Sequence, residues 1–465
     1  MTRNTLLAFS LLLAGSAFAD TRVDVLATMG QTDFPGGEGA AISELDSPFL
    51  TGNNKVGFQM SFSGIGKAFA FDGAVVFRVA DFTGATLTGG EDQTGFSNTG
   101  DFCYSPSADG ADALFVRTGG VVLKDGDPDP AFPGLFNSFD SRPTMTDNGT
   151  SVWVAGLSNT AGGTTTDRVL YTRTSDGVFT AVYRAGTTGT VFDGLTITPG
   201  GIGFDFDWSG NALHRIHLMT MATGSTVNDG WVVVNDIPVF KEADLAVGDP
   251  NLWQNWRSPS INNSGQFVIM GDTSAPSTAD DFLANANGIQ VKSASTVDGY
   301  LIGTQVSSSC EVGNTGYVAH LWGSTATNRA LFLGQYDQLA ASRLLIETGD
   351  TIDLDGDYVA DAFVDTINTA LGFSLAVGDD GSVYVSVNAR DIVTQVVAER
   401  IIRIPLSRPG DIDRDGEVGS SDLSLLSIAF QSTPDSPNWE ADADFDFDGE
   451  VGSNDLSILS ANFLQ

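Results

Sequence analysis

Asn263-Ser264-Gly265-Gln266-Phe267-Val268 is the clearest copy of a short pattern: a polar turn pair, a glycine, then an alternating apolar run. Toward the C-terminus the pattern returns as Asn314-Thr315-Gly316-Tyr317-Val318 and Asp379-Asp380-Gly381-Ser382-Val383-Tyr384. Toward the N-terminus stand Trp208-Ser209-Gly210 ahead of Leu213, Asp147-Asn148-Gly149 ahead of Val152-Trp153-Val154, and Asn98-Thr99-Gly100-Asp101-Phe102. Asn53-Asn54-Lys55-Val56-Gly57-Phe58 is a degenerate first copy, which makes seven. Asn or Asp beside Gly supplies the positive-φ positions that a tight hairpin demands.

A second pattern follows most copies: an apolar strand, a small turn, another apolar strand. Examples are Ala113-Leu114-Phe115-Val116 to Val121-Val122-Leu123 and Val169-Leu170-Tyr171 to Ala181-Val182-Tyr183. Ala330-Leu331-Phe332-Leu333 to Leu344-Leu345-Ile346 is a third. Units of about four short strands, repeating roughly every 45–65 residues, predict β-propeller blades. The ends predict closure of a ring. Val23-Asp24-Val25-Leu26-Ala27 reads as an outer strand with no inner strand before it, and Arg400-Ile401-Ile402-Arg403-Ile404 as a third strand with no outer strand after it. The N-terminal strand then completes the last blade, which removes exposed sheet edges. The fold class expected is an all-β body, a seven-bladed β-propeller over residues 20–405, rather than an open sandwich array or a solenoid. The copies resemble the degenerate propeller-like repeats of secreted bacterial proteins of unknown function. They carry neither the Trp-Asp blade signature nor a kelch signature, and the resemblance brings no activity with it.

Arg3, the apolar run from Leu6 to Ala14 and the small-x-small triplet Ala17-Phe18-Ala19 read as a secretory signal peptide over residues 1–19, with the mature chain starting near Asp20. The apolar run is too short to span a bilayer, which takes about 20 apolar residues. The chain of 465 residues has a formal charge of −36, with 22 Lys and Arg against 58 Asp and Glu. Such a surface repels nucleic acid and anionic lipid and attracts divalent cations. Cys103 and Cys310 are the two cysteines, too few for a disulfide framework. They fall in the second and sixth repeat units, nearly across a seven-membered ring. A disulfide needs Cα atoms within about 7 Å, so free buried thiols are expected.

The sharpest chemistry lies at the C-terminus. Asp411-Ile412-Asp413-Arg414-Asp415-Gly416-Glu417-Val418-Gly419-Ser420-Ser421-Asp422 recurs almost unchanged as residues 444–455. Each stretch fits the twelve-residue calcium loop. Asp411, Asp413, Asp415 and Asp422 occupy positions 1, 3, 5 and 12, as do Asp444, Asp446, Asp448 and Asp455. Gly416 and Gly449 fall at the sharp turn, Glu417 and Glu450 offer a backbone carbonyl at position 7, and Val418 and Val451 point into a small core. Four carboxylates crowded into one loop repel one another unless a cation sits among them, so two Ca2+ ions are expected and folding is coupled to binding. A helix follows each loop. Leu423, Leu426 and Phe430, matched by Leu456, Leu459 and Phe463, read as core residues between the two helices. Trp439 packs between the repeats.

This duplicated loop and helix, with Asp at position 12, resembles a type I dockerin over residues 411–465, joined to the body by a short linker at 406–410. The resemblance implies a cohesin-like or other cell-surface partner, contacted by positions 10 and 11: Ser420 and Ser421, and in the second copy Ser453 and Asn454. Members that join cellulosomes carry a Lys-Arg pair in the helix, where this chain has Ser427-Ile428.

No nucleophile elbow, phosphate loop or Cys/His pair stands out. His214 and His217 are expected on opposite sides of a strand. His320, beside Trp322, is placed on an inner strand that lines the central channel. Asp353, Asp355, Asp357 and Asp361 form a second acidic loop, but Gly356 breaks the calcium-loop frame. It is either a weaker calcium site or a solvated turn. Three functions follow. The first is an exported, non-catalytic binding or scaffold protein. The second is a polysaccharide-acting hydrolase or lyase, or its accessory subunit. The third is a structural cell-surface or matrix component. Acids converging in the channel favour the second; a channel of Ser, Thr and small apolar residues argues against it.

Overall fold

The computed structural model describes residues 21–463 apart from 91–94, 140–142, 161, 305–308, 326–327, 356–358, 369–374, 407–409, 413–417, 434–435 and 446–448. The expected signal peptide lies outside them.

Among the described residues six antiparallel sheets of four or five strands are each built from one continuous stretch of chain, besides a two-stranded ribbon of Thr296–Val297 and Tyr300–Leu301. In order the six begin at the strands Ile42–Leu45, Leu87–Thr88, Leu135–Phe139, Ile197–Trp208, Trp253–Ile261 and Ser309–Val312. A further sheet is composite. Its strands Ala362–Ile367, Val383–Asp391 and Val397–Ile404 come from the far end of the body, and Asp24–Thr28 from the N-terminus. Asp24–Thr28 pairs antiparallel with Val397–Ile404, placing Asp24 opposite Arg403 and Thr28 opposite Arg400. Thr21–Arg22 adds a parallel pairing to Thr351–Asp353. The body is thus an all-β propeller in which six continuous blades are joined by one sheet of different make. The expected all-β propeller is found, but with six blades rather than the seven expected, because the seventh repeat shares a composite sheet with the N-terminal strand.

Each apolar cluster of the body lies between two neighbouring sheets. Phe69 and Phe71 of the first sheet pack with Phe102, Tyr104 and Phe115 of the second. The series continues around the body. It ends where Ala27 and Ile401 of the composite sheet meet Ile42 and Phe58 of the first. Burying one such aromatic or aliphatic side chain contributes roughly 1.5–3 kcal/mol. Both faces of every sheet are used, which is why the strands read as nearly continuous apolar runs.

The repeated turns share a four-residue frame whose last position is left-handed in every copy. It holds Asn54, Gly100, Gly149, Ala212, Gly265, Gly316 and Gly381, with φ from 59 to 88°. In the fourth copy this corrects the sequence reading: Ala212 takes that position, not Gly210. The turns also hold one another. Asn53 N–H donates to Asn98 Oδ1 (3.1 Å), Asn98 N–H to Asp147 O (3.0 Å) and Asp147 N–H to Gly210 O (2.9 Å). Asn211 N–H donates to Asn263 Oδ1 (2.7 Å), and Asn263 N–H to Asn314 Oδ1 (3.0 Å). Thr315 Oγ1 donates to Asp379 O (3.0 Å), and Asp379 N–H returns to Asn54 Oδ1 (3.0 Å). The side-chain oxygen that makes Asn a turn residue here satisfies the next turn's backbone.

Cys103 and Cys310 are buried in separate clusters, and their thiols donate to Thr144 O (3.1 Å) and Ser258 O (3.0 Å). Burial pushes the Cys103 thiol up to about 12, so it stays protonated.

His320 does not line the channel. It lies on Tyr317–Thr325, the second strand of its sheet, fully buried and stacked on Phe332. The Trp322 indole N–H donates to His320 Nδ1 (2.8 Å), so the ring hydrogen sits on Nε2 and is donated to Ser342 Oγ (2.9 Å). Desolvation holds its pKa down near 3. His214 lies just ahead of the strand Arg215–Met221, beside Asn235 (3.1 Å), while His217, on that strand, is buried between Phe206 and Tyr183.

Candidate functional site

Two places concentrate polar chemistry: the C-terminal repeats and the mouth of the propeller channel. In the C-terminal repeats the helices are α1, Ser420–Ala429, and α2, Ser453–Asn462. Each begins after a glycine in extended conformation, with an aspartate at its third position. Asp422 Oδ1 accepts Ile412 N–H at 2.6 Å and Oδ2 accepts Gly419 N–H at 2.7 Å. Asp455 repeats this, taking Phe445 N–H at 2.6 Å and Gly452 N–H at 2.7 Å. The position-12 carboxylate therefore draws both ends of its loop together and compensates the positive end of its helix.

Asp411, Asp422, Asp444 and Asp455 are all buried, at 4, 0, 3 and 1% exposure. Burying carboxylates around one loop is costly without a counter-charge. Oxygens that accept one N–H keep a second lone pair. This donor set suits calcium, a hard cation with oxygen ligands. Glu450 is exposed, as a position that ligates through its carbonyl can be. Gly449 is left-handed (φ +81°), as the turn at position 6 requires. Asp413, Asp415, Glu417, Asp446 and Asp448 lie outside the described residues.

Val418 and Val451 are fully buried with Leu426, Ala429 and Leu459, and Trp439 and Phe463 pack against them. Leu423, Leu456 and Phe430, expected in this core, are instead 40, 37 and 38% exposed. The buried stripe of α1 runs through Asp422, Leu426 and Ala429. The loop-facing aspartate claims the inward position, which turns Leu423 about 100° outward. Ser420, Ser421, Ser453 and Asn454 are exposed beside these leucines. Each helix thus presents an uncharged face of small hydroxyl and apolar side chains.

The channel is lined by residues from every repeat of the body, the second contributing only Gly95, and encloses a cavity of about 140 Å³. At its turn end stands Asp147, which accepts Gly52 N–H at 2.8 Å. Residues two positions ahead of the turn frame in successive repeats also line it. In three consecutive repeats this position holds Asp207, Ser260 and Glu311. Asp207 accepts Trp208 N–H and Ile261 N–H, both at 2.8 Å. Ser260 accepts Val312 N–H (3.1 Å) and hydrogen-bonds to both carboxylates. Desolvation raises Asp207 to about 7. Desolvation, and then the Asp207 charge, push Glu311 well above the usual carboxylate range. Asp207 has the backbone donors that favour its anion and Glu311 does not, so Glu311 retains the proton. Sequence reading passed over this pair. The signal was present as matched positions two residues ahead of adjacent turns.

In the second acidic loop, Asp353, Asp355 and Asp361 bring carboxylate oxygens within 4.8 Å of one another. Asp361 Oδ2 accepts Leu354 N–H (2.8 Å) and Asp353 Oδ1 accepts Asp355 N–H (3.1 Å). Asp357 lies outside the described residues. Among the described residues no helix is long and apolar enough to cross a membrane.

Residues 409–464 match the dockerin type I domain, and residues 15–196 match a family of unknown function (DUF7453). No curated protein matches the chain. Among solved structures the chain is similar to puromycin hydrolase at 11% identity and TM-score 0.42, over 81% of this chain and 56% of that one. It is also similar to the WD40 β-propeller domain of Doa1, at 9% identity and TM-score 0.35, over 82% and 96% of the two chains. A third is α-L-arabinanase from Penicillium chrysogenum, at 11% identity and TM-score 0.32, over 83% and 98%. The chain thus carries a C-terminal stretch that matches the type I dockerin domain, behind a β-propeller-like body whose N-terminal part matches the model of a family of unknown function.

Proposed function

We propose that this is an exported docking protein whose tail binds two calcium ions and whose propeller is a non-catalytic binding or scaffold body. Residues 1–19 direct export, residues 20–405 form the body, and 406–410 link it to the docking module at 411–465. Counting the composite sheet as the closing blade makes the ring seven-membered. One observation carries the reading: two aspartates 33 positions apart, Asp422 and Asp455, close their loops with the same two bonds at the same lengths. Beside each lies an exposed, uncharged helix face. Asp411, Asp413, Asp415, Glu417 and Asp422 hold one ion; Asp444, Asp446, Asp448, Glu450 and Asp455 hold the other. Ser420 and Ser421, or Ser453 and Asn454, meet a cohesin-like or other surface protein. A polysaccharide is the second kind of partner, on the propeller.

The full chain, immobilised with calcium and then with chelator, is offered surface extract of the producing organism. Calcium-dependent capture of one protein, lost when both Ser420-Ser421 and Ser453-Asn454 are changed to alanine, supports docking. Equal capture under both conditions sinks it.

A second reading is favoured by the channel pair. A protonated Glu311 near an ionised Asp207 is the arrangement of a general acid beside a base or nucleophile, as in glycoside cleavage. Release of reducing ends from a polysaccharide panel, lost in Glu311→Gln, would move the protein to that class. No release from any polymer leaves the scaffold reading in place.

A further inference from the structure

The tail does not hang from the body; it returns to it. The closing strand Val397–Ile404 runs straight into Leu406, which packs on the cluster shared by the sixth and composite sheets. A Cβ at Gly381 would lie 2.8 Å from Leu406 Cδ2 and 3.1 Å from the Tyr317 ring, so leucine, tyrosine and turn are in close contact. A few residues later Gly410 is buried in the tail's own core, where a Cβ would meet Val418 (2.7 Å) and Leu459 (3.2 Å). The connection is pinned at both ends.

The tail then meets the outer edge of the sixth sheet as well. Asp442, in the 3-10 turn Ala441–Ala443 just ahead of the loop, pairs with Arg343 on the outermost strand of the sixth sheet, Arg343–Glu347. The distance is 3.0 Å and the side chains are 6 and 14% exposed. Gly449, at the turn of that loop, faces Ala341, whose Cβ would be 4.0 Å from a Cβ there. An ion pair this buried is sensitive to position, because either charge left alone is strongly unfavourable.

We propose that the calcium-loaded tail is a clasp across the seam of the propeller, tying the composite closing sheet to the outermost strand of the sixth sheet. The inference rests on calcium binding by the second loop and goes beyond docking: the tail stabilises the body that carries it. A ligand that binds only the folded tail stabilises whatever folds with it. The seam needs such a device, because the composite sheet draws on both ends of the body for its strands. Calcium then reads through Asp442 and Arg343 into strands outside the two calcium loops.

Amide hydrogen exchange of the full chain, with calcium and with chelator, tests this. Three sets of peptides are followed: those covering Arg343–Glu347, Val397–Ile404 and α2. In the wild type, chelator should speed exchange at least tenfold in all three. In Arg343→Met, which replaces the buried charge by an apolar side chain of similar length, α2 should still respond to calcium while the two body strands no longer do. Ala341→Glu, which sets a charge against the Gly449 turn from the body side, should uncouple them in the same way should Arg343→Met fail to fold. Body strands that ignore chelator in the wild type while α2 responds overturn the clasp alone. An α2 that ignores calcium overturns the metal reading, and the clasp with it.

Discussion

Asp147 reaches past the neighbouring turn to the backbone of Gly52, whose N–H its Oδ1 accepts at 2.8 Å. Its other oxygen lies where a Cβ on either Gly52 or Gly210 would be, so both glycines are there to admit the carboxylate. Gly52→Ala and Gly210→Ala should each cost about 1–3 kcal/mol, the range for overpacking. In the Asp147→Ala background the cost of Gly52→Ala should largely vanish. A double-mutant cycle by denaturant unfolding checks this, and simple additivity would refute it.

The turn relay predicts a contrast at one residue. Asn263 Oδ1 accepts Asn211 N–H at 2.7 Å and its carbonyl accepts Asn211 Nδ2 at 3.2 Å. Asn263→Ala should destabilise by about 1–2 kcal/mol, because a half-buried N–H loses its acceptor. Asn263→Asp keeps the oxygen and should cost clearly less. Equal losses in thermal melts would show that the side chain does not serve the next turn.

The channel pair predicts a pH dependence of known sign. Glu311 is held protonated by burial and by the Asp207 charge, above its unfolded value of 4.5. Its contribution to stability is therefore full below about pH 4.5 and is lost as pH rises through the folded value. Asp207, raised to about 7, acts in the same direction between pH 4 and 7. Glu311→Gln removes one of these groups and relieves the other. The difference in melting temperature, variant minus wild type, should grow steadily from pH 4.5 upward. A difference that is flat from pH 4.5 to 8 would contradict the assignment.

The calcium loops predict stoichiometry. Asp422→Ala removes two hydrogen bonds, of about 1.5–3 kcal/mol each for a charged acceptor, together with a metal ligand. Titration calorimetry should give two calcium ions for the wild type and one for this variant. The helical signal of α1 should fall with it. Two ions bound to the variant would remove Asp422 from the metal site.

The sequence by itself determined the local units. Asn and Asp beside Gly specify tight turns wherever they fall, and apolar runs on both sides of a turn specify doubly covered strands. A repeated twelve-residue acidic loop specifies a cation site whatever surrounds it. These are short-range matters, decided by φ, by side-chain period and by charge spacing. The unpaired strands at the two ends carried the joining of the N-terminus to the closing sheet for the same reason, since an open edge must find a partner. Only the tertiary structure decided what those units meet. Ala212, not Gly210, takes the left-handed position, and Gly210 instead makes room for a carboxylate from another turn. His320 sits one strand further from the axis than its neighbourhood in sequence implied. Leu423 faces outward because Asp422 holds its loop. Asp207, Ser260 and Glu311 become neighbours through the ring's curvature, and Arg343 meets Asp442 through the return of the tail. Separations of this kind, 99 residues in the last case, leave no trace in local pattern. They are set by which surfaces remain to be covered once the sheets have closed.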